Sequence, residues 1–210
     1  MDWACGVIAA PRQSSESIHL CHDSLIRNGL RPLVFAEPGT QVPETADTIC
    51  RPWTIAERLP YIVPAESGKF GNCQNYLQCA ADLLQEFQQA EAILIVEDDA
   101  VLCNGAVQFV DGLCWPHEEC GAISLYAANS SSVRAGLRSE FRRMPRRYLM
   151  GSLAMAWKRE CLQKIVDSGE LQNWHGDSGQ RFNPKVHRSD IKGVDTFVSA
   201  EMHKHGYDYW

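Results

Sequence analysis

The strongest pattern in the chain is a run of four large apolar residues at positions 93–96, followed directly by Glu97, Asp98 and Asp99. A run without polar alternation predicts a strand buried on both faces, as in the centre of a parallel sheet. Ligands of open α/β sheets bind outside the carboxyl ends of the strands. Because adjacent carboxylates repel one another, the triplet indicates either a site for a divalent cation such as Mg²⁺ or Mn²⁺, or an acidic turn that faces water.

Apolar runs and helical spacings alternate through the rest of the chain. Short apolar runs predict strands at residues 6–10, 33–36 and 121–126, and a longer apolar run covers 148–157. Helical spacing predicts helices at 14–28, 105–113, 159–166 and 195–205, and a strongly amphipathic helix opened by residues 71–72. On that helix the pattern assigns Gln78 and Asp82 to the polar side. This order predicts an α/β fold with a mostly parallel central sheet flanked by helices, in three α/β/α layers.

Composition narrows the class of protein. The chain has 210 residues, and no linker or repeat divides it, which predicts a single domain over residues 1–210. A net charge of -6 argues against general nucleic-acid binding, which needs a basic surface. No apolar run has the length of a transmembrane segment, and the N-terminus lacks the basic and apolar regions of a signal peptide. A cytoplasmic protein is therefore expected.

The nine cysteines are scattered and odd in number. Cys5, Cys73, Cys79 and Cys161 lie inside apolar patterns, which predicts buried, reduced thiols. The segment 114–120 offers two cysteines and one histidine, but their spacing is poor for zinc.

Positive charge is concentrated between residues 129 and 147, where six arginines occur on an otherwise acidic protein. Arg146 and Arg147 directly precede the apolar run at 148–157, so they are the arginines best placed near a site. A guanidinium can bind a diphosphate through two parallel hydrogen bonds. The alternative for each arginine is a solvated loop position.

The order of these features resembles the GT-A class of nucleotide-sugar-dependent glycosyltransferases. The resemblance rests on a strand that ends at residues 10–12, a strand that ends at Glu37, a helix with Asn75 near its start, and the acidic triplet at the end of a central strand. It covers residues 7 to about 206. It implies a Rossmann-like domain with a nucleotide-binding half at about 1–100 and an acceptor-side half at about 101–210. It also implies a UDP- or GDP-sugar donor and a Mn²⁺ or Mg²⁺ ion that bridges the diphosphate.

Positions in the resemblance imply roles for individual residues. Asp98 and Asp99 would bind the metal or the diphosphate, with Asp99 the first choice as direct metal ligand. Pro11, Arg12 and Glu37 would line the base and ribose, and Asn75 would reach the nucleotide from its helix, while Arg146 and Arg147 are the candidates for the diphosphate.

The acceptor side carries the remaining candidates. Asp195 follows an apolar strand and a helix, as the catalytic base does in several such families. It opens a helix, where the helix dipole favours the ionised carboxylate. An inverting transferase needs such a base and a retaining one does not. Members of the class often supply one more metal ligand downstream, and His203 is the candidate here. The acceptor itself could be a glycan, protein, lipid or small molecule.

Two other functions fit the same pattern. A nucleotidyltransferase can share this sheet and its acids, but it is expected to have a glycine-rich basic loop after the first strand, where residues 10–14 contain no glycine. A non-catalytic nucleotide-sugar-binding or carbohydrate-binding domain would keep the donor pocket and lack a complete metal site.

Overall fold

The described part of the chain forms a six-stranded mixed sheet with five helices. A computed structural model describes residues 1–37, 39–47, 72–113, 115, 117–126, 153–168 and 194–209, with the backbone alone described for 72–74, 113 and 194–196. The strands are β1 (Trp3–Ala9), β2 (Leu33–Ala36), β3 (Ala92–Glu97), β4 (Cys120–Ser124), β5 (Ala154–Lys158) and β6 (Asp208–Tyr209). The helices are α1 (Glu16–Arg27), α2 (Asn72–Glu86), α3 (Ala106–Leu113), α4 (Arg159–Val166) and α5 (Val194–Lys204).

The strand order is β2-β1-β3-β5-β4-β6, and β5 is the strand that runs against its neighbours. The pairs β1–β2, β1–β3 and β4–β6 are parallel. The mostly parallel sheet predicted from the sequence is therefore confirmed. The first strand begins at Trp3, earlier than its apolar pattern indicated, because residues 3–5 pair with the first half of β3.

Helices cover both faces of the sheet, as the three-layer prediction required. Residues 93–96 of β3 are fully buried, and their side chains alternate between two cores. Ile93 and Ile95 pack on the side of α2, α4 and α5. Leu94 and Val96 pack on the side of α1 and α3. None of the helices in the described ranges is both long and apolar enough to cross a membrane.

Helix α2 buries its predicted apolar face, and it also buries two residues that the pattern assigned to its polar side. The pattern placed Gln78 and Asp82 on the polar side, yet both side chains are buried. Gln78 Nε2 donates to Asp82 Oδ1 over 3.1 Å, so the two polar groups bond to each other one helical turn apart. Burial is possible because this hydrogen bond replaces water for part of each group. A periodicity argument cannot detect such pairing from residue types.

Two contacts fix α2 against the sheet. Arg159 donates from Nη1 to the carbonyl of Phe87 and from Nη2 to that of Leu84, each over 2.7 Å, and so caps the C-terminal end of the helix. Near the other end, Trp157 Nε1 donates to Tyr76 Oη over 2.7 Å inside the core. The start of α2 is thereby held close to the carboxyl ends of β1 and β2.

The close approach of α2 to β1 requires glycine at position 6. A Cβ atom at Gly6 would lie 2.5 Å from Cys79 Sγ and 2.9 Å from Leu83 Cδ1. We expect Gly6→Ala to lower the free energy of unfolding by about 1–3 kcal/mol because the core has no room for the added methyl group. Urea unfolding measures the loss. Cys79→Ala should recover part of it, so that the double variant is more stable than the sum of the two single effects.

Gly112→Ala is the matched control. Gly112 lies in α3, and an added Cβ would meet no atom within 4 Å. This substitution should be neutral or stabilise by up to about 1 kcal/mol, as expected for alanine in a helix. A loss in the control as large as that at position 6 would contradict the packing argument.

Burial also predicts the reactivity of the cysteines. Cys5, Cys21, Cys79, Cys120 and Cys161 are buried and Cys103 is exposed, all as free thiols. Burial raises the pKa of Cys21 to about 12, and it does the same for Cys120. A raised thiol pKa favours the neutral form, so at about pH 9 only about one in a thousand of these groups is thiolate.

Among the six cysteines whose side chains the structure describes, alkylation of the native protein, mapped by mass spectrometry, should therefore modify Cys103 first. The five buried thiols should react only after denaturant is added. Rapid labelling of Cys21 in the native protein would contradict the assigned burial.

Candidate functional site

The three acids at the end of β3 lie in three different environments. Glu97 ends the strand and is half-buried. The side chain of Asp98 is 4% exposed and that of Asp99 is 42% exposed. Asp98 N donates to the carbonyl of Ile8 over 3.0 Å, so the second acid lies directly beside the end of β1. Because β1, β2 and β3 are parallel, this is the carboxyl edge of the sheet, where ligands of such sheets bind.

Arg12 contacts Asp98 and Asp99 with the same guanidinium. Its Nε lies 3.0 Å from both carboxylate oxygens of Asp98, and its Nη2 lies 2.5 Å from Oδ1. The same Nη2 lies 3.2 Å from Asp99 Oδ2. The hydrogen bonds to Asp98 raise the pKa of the Arg12 guanidinium, so the group stays charged. The cation that offsets the repulsion between these acids in this structure is thus a side chain of the chain itself.

An open cleft adjoins this ion pair. It lies between the start of α1 and the turn that follows β2, and it is lined by Ala10, Arg12, Ser14, Ser15, Ser17, Ile18, Thr40, Gln41 and Asp98. Ser17 Oγ is buried and has no hydrogen-bond partner among the described residues. The first turn of a helix carries amide groups without intrahelical partners and attracts anions. Arg12, the helix start and the serine hydroxyls therefore suit a phosphate-bearing or hydroxyl-rich ligand.

Three more predicted site residues lie at the same edge. Glu37 follows β2 directly, and its amide donates to the carbonyl of Ala9 over 2.9 Å. Asn75 is buried, and its Nδ2 donates to the carbonyl of Phe35 over 3.4 Å. Asn75 Oδ1 is buried and has no hydrogen-bond partner within the described ranges. Pro11 is exposed on the loop after β1. The topology thus brings Pro11, Arg12, Glu37, Asn75, Asp98 and Asp99 to one edge.

Helix α1 holds the segment that follows the acids. Ser24 Oγ accepts the amide of Leu102 over 3.1 Å, and Asn28 Nδ2 donates to the carbonyl of Cys103 over 3.1 Å. Cys21 Sγ lies 3.5 Å from the carbonyl oxygen of Glu97. Sequence reasoning missed these supports. The available signal was the presence of Ser24 and Asn28, one turn apart, on the buried side of an amphipathic helix.

The acceptor-side candidates are distributed differently. Asp195 is the second residue of α5, and only its backbone is described. Helix α5 ends just before β6, at the amino edge of the sheet. Arg146 and Arg147 lie outside the described residues.

The structure separates His203 from the acids. His203 lies on the exposed end of α5, and Asp208, five residues later, pairs with the first residue of β4. That position is at the amino edge of the sheet, whereas Asp98 and Asp99 are at the carboxyl edge. A strand of six residues separates the edges by about 20 Å. His203 and Asp99 therefore cannot bind the same ion in this structure, and we do not retain His203 as a ligand.

The residues that could hold a divalent cation are Asp98 and Asp99. Within the described ranges, no group of three or more His, Cys, Asp or Glu side chains comes together as a metal site. Two carboxylates plus phosphate oxygens of a substrate are nevertheless a common way to hold Mg²⁺. The guanidinium shared by the two carboxylates shows that they can bind one cation together.

Comparison with known proteins gives a likeness in fold. No protein-family model matches the chain, and no curated protein sequence matches it. Among solved structures, the chain is similar to mannosyltransferase PcManGT from Pyrobaculum calidifontis in complex with GDP-Man and Mn²⁺, with a TM-score of 0.51 and 15% identity. The match covers 98% of this chain and 53% of that one. This likeness confirms the GT-A-like α/β fold expected from the sequence.

A second similar structure is S. aureus TarS 1-349. It has a TM-score of 0.46 and 14% identity, over 82% of this chain and 53% of that one. The chain thus spans about half the length of these two structures.

The unequal burial of the two aspartates predicts unequal effects on stability. Asp98→Asn removes a buried charge that accepts several hydrogen bonds from Arg12 and should lower the free energy of unfolding by about 1.5–3 kcal/mol. Asp99→Asn removes a half-exposed charge and should change it by less than about 0.5 kcal/mol. Urea unfolding of the two variants measures both values. Equal losses would show that Asp98 is not the structural partner of Arg12.

Proposed function

We propose that the chain is a glycosyltransferase domain that moves a sugar from a UDP- or GDP-sugar to a hydroxyl group of an acceptor, with Mn²⁺ or Mg²⁺. The observation that carries the proposal is the meeting of Arg12, Asp98 and Asp99 beside the start of α1, at the carboxyl edge of a GT-A-like sheet. The likeness in fold to the mannosyltransferase supports sugar transfer as the first candidate reaction. A fold by itself does not assign a reaction, so the site residues carry the argument.

In this proposal the chain recognises the diphosphate of the donor with one set of groups and its base and ribose with another. Arg12 binds the diphosphate together with the serine hydroxyls at the start of α1, because a guanidinium and hydroxyl donors both favour phosphate oxygens. Asn75 Oδ1 and Glu37 are acceptors for donors on the base and ribose, and Pro11 supplies an apolar surface beside them. Arg146 and Arg147 are proposed to add further positive charge around the diphosphate.

The proposed metal ligands and the proposed base act on different parts of the reaction. Asp99, with Asp98, would hold a divalent ion, which when bound neutralises the negative charge that develops on the departing nucleoside diphosphate. Asp195 is proposed to accept the proton of the acceptor hydroxyl as the new glycosidic bond forms. In an inverting reaction this proton transfer accompanies attack on the anomeric carbon.

A non-catalytic nucleotide-sugar-binding domain is the second candidate. It is favoured by one observation, namely that Arg12 already occupies oxygens of both carboxylates. Such a domain would use Arg12 and the cleft to bind the donor and would not release the sugar. Transfer and donor-hydrolysis assays separate the two candidates, because the binding domain predicts tight donor binding with no turnover.

Calorimetry with UDP and GDP, with and without Mn²⁺, tests the proposed function. We expect one nucleotide to bind, more tightly with Mn²⁺, and Asp99→Ala to weaken metal-dependent binding by at least about tenfold, the loss expected when a direct ligand is removed. Asp23→Ala is the matched control, since Asp23 is an exposed acid of α1 away from the cleft. Absence of binding by either nucleotide under all metal conditions would disprove the proposal.

A further inference from the structure

Arg12 and a metal ion compete for the same atoms. Asp98 Oδ1 contacts Nε and Nη2 of Arg12, while Oδ2 contacts Nε and also accepts the Ala10 amide over 3.4 Å. A carboxylate oxygen has two lone-pair positions, so the guanidinium and the backbone fill those of Asp98. A divalent ion that entered beside Arg12 would also face a positive charge a few ångströms away. Metal binding by both acids therefore requires Arg12 to leave.

Arg12 can move, whereas Asp98 cannot. Arg12 lies on the loop between β1 and α1, and its side chain is 41% exposed beside the cleft. Asp98 is buried, and its amide is bonded to the carbonyl of Ile8. A buried carboxylate without a cation is strongly unfavourable. Asp98 must therefore keep a cationic partner, either Arg12 or another ion.

We propose that Arg12 is an exchangeable internal cation: it occupies the metal position on Asp98 and Asp99 when no donor is bound, and it transfers to the donor diphosphate when a divalent ion replaces it. This inference rests on the proposed function for the identity of the diphosphate. The exchange leaves Arg12 and the buried Asp98 each with a partner of opposite charge in both states. It therefore makes metal and diphosphate bind cooperatively, since each provides a partner for the group that the other displaces.

The exchange predicts that removing the positive charge at position 12 strengthens metal binding. Without nucleotide, the wild-type protein should bind Mn²⁺ weakly, because Arg12 holds the site. Arg12→Gln should bind Mn²⁺ alone with a Kd lower by at least about tenfold, since no internal cation competes. Arg31→Gln is the matched control, because Arg31 is an exposed arginine outside the site. Electron paramagnetic resonance of free Mn²⁺ measures all three proteins.

Thermal unfolding provides a second readout, and it also shows whether each variant is folded. Arg12→Gln should have a lower Tm than wild type without metal, and Mn²⁺ should raise its Tm more than that of wild type. Adding Asp98→Asn to Arg12→Gln should abolish this larger rise of Tm with Mn²⁺. Arg12→Lys keeps a charge but loses the bidentate contact, so its affinity for Mn²⁺ alone should be intermediate.

The outcomes separate the inference from the proposed function. The exchange is overturned if Arg12→Gln, or Arg12→Lys should the glutamine variant not fold, binds Mn²⁺ alone no more tightly than wild type. It is also overturned if wild type binds Mn²⁺ equally well with and without the nucleotide that it recognises. If no nucleotide binds but Arg12→Gln gains Mn²⁺ affinity, the competition at the carboxylates stands, while the proposed function and the transfer to a diphosphate fail.

Discussion

The ion pair between Arg12 and Asp98 is the interaction on which the site depends. Asp98 is bonded through its backbone to β1 and through its side chain to the loop after β1, so it joins the ends of two neighbouring strands. A buried carboxylate in that place would oppose folding without a cation. The guanidinium removes this penalty and at the same time fixes the wall of the cleft. Stability and the proposed ligand recognition therefore depend on the same contact.

Much of the fold could be predicted because its signals are local. The apolar run of β3 is buried on both faces. Helix α4 occupies the predicted residues 159–166, because the amphipathic spacing lies within that short segment. Strand β1 begins before its apolar run because Trp3 pairs with Ala92 of β3. Pro11, Arg12, Glu37 and Asn75 were expected to lie together because of the resemblance to the GT-A class, and the parallel pairing of β1, β2 and β3 brings them to one edge.

The errors have a common physical cause, which is that local patterns do not state what an element packs against. Gln78 and Asp82 are polar by type, yet the structure buries them as a bonded pair. His203 follows Asp195 closely in sequence, but a helix carries it to the opposite edge of the sheet. Arg12 was assigned to the base and ribose, whereas the structure pairs it with the acids. Each of these outcomes depends on which elements become neighbours.

The acidic triplet shows why a motif does not assign ligands by itself. Three adjacent carboxylates have similar chemistry in the sequence, but the end of a strand places successive residues at different depths. Glu97 stays with the strand, Asp98 turns into the space between β3 and β1, and Asp99 reaches solvent. Asp99 is the most exposed of the three, whereas an ion can reach Asp98 only at the position that Arg12 occupies. The depth of each carboxylate, rather than its order in the motif, therefore decides whether it stabilises the fold or is available to a ligand.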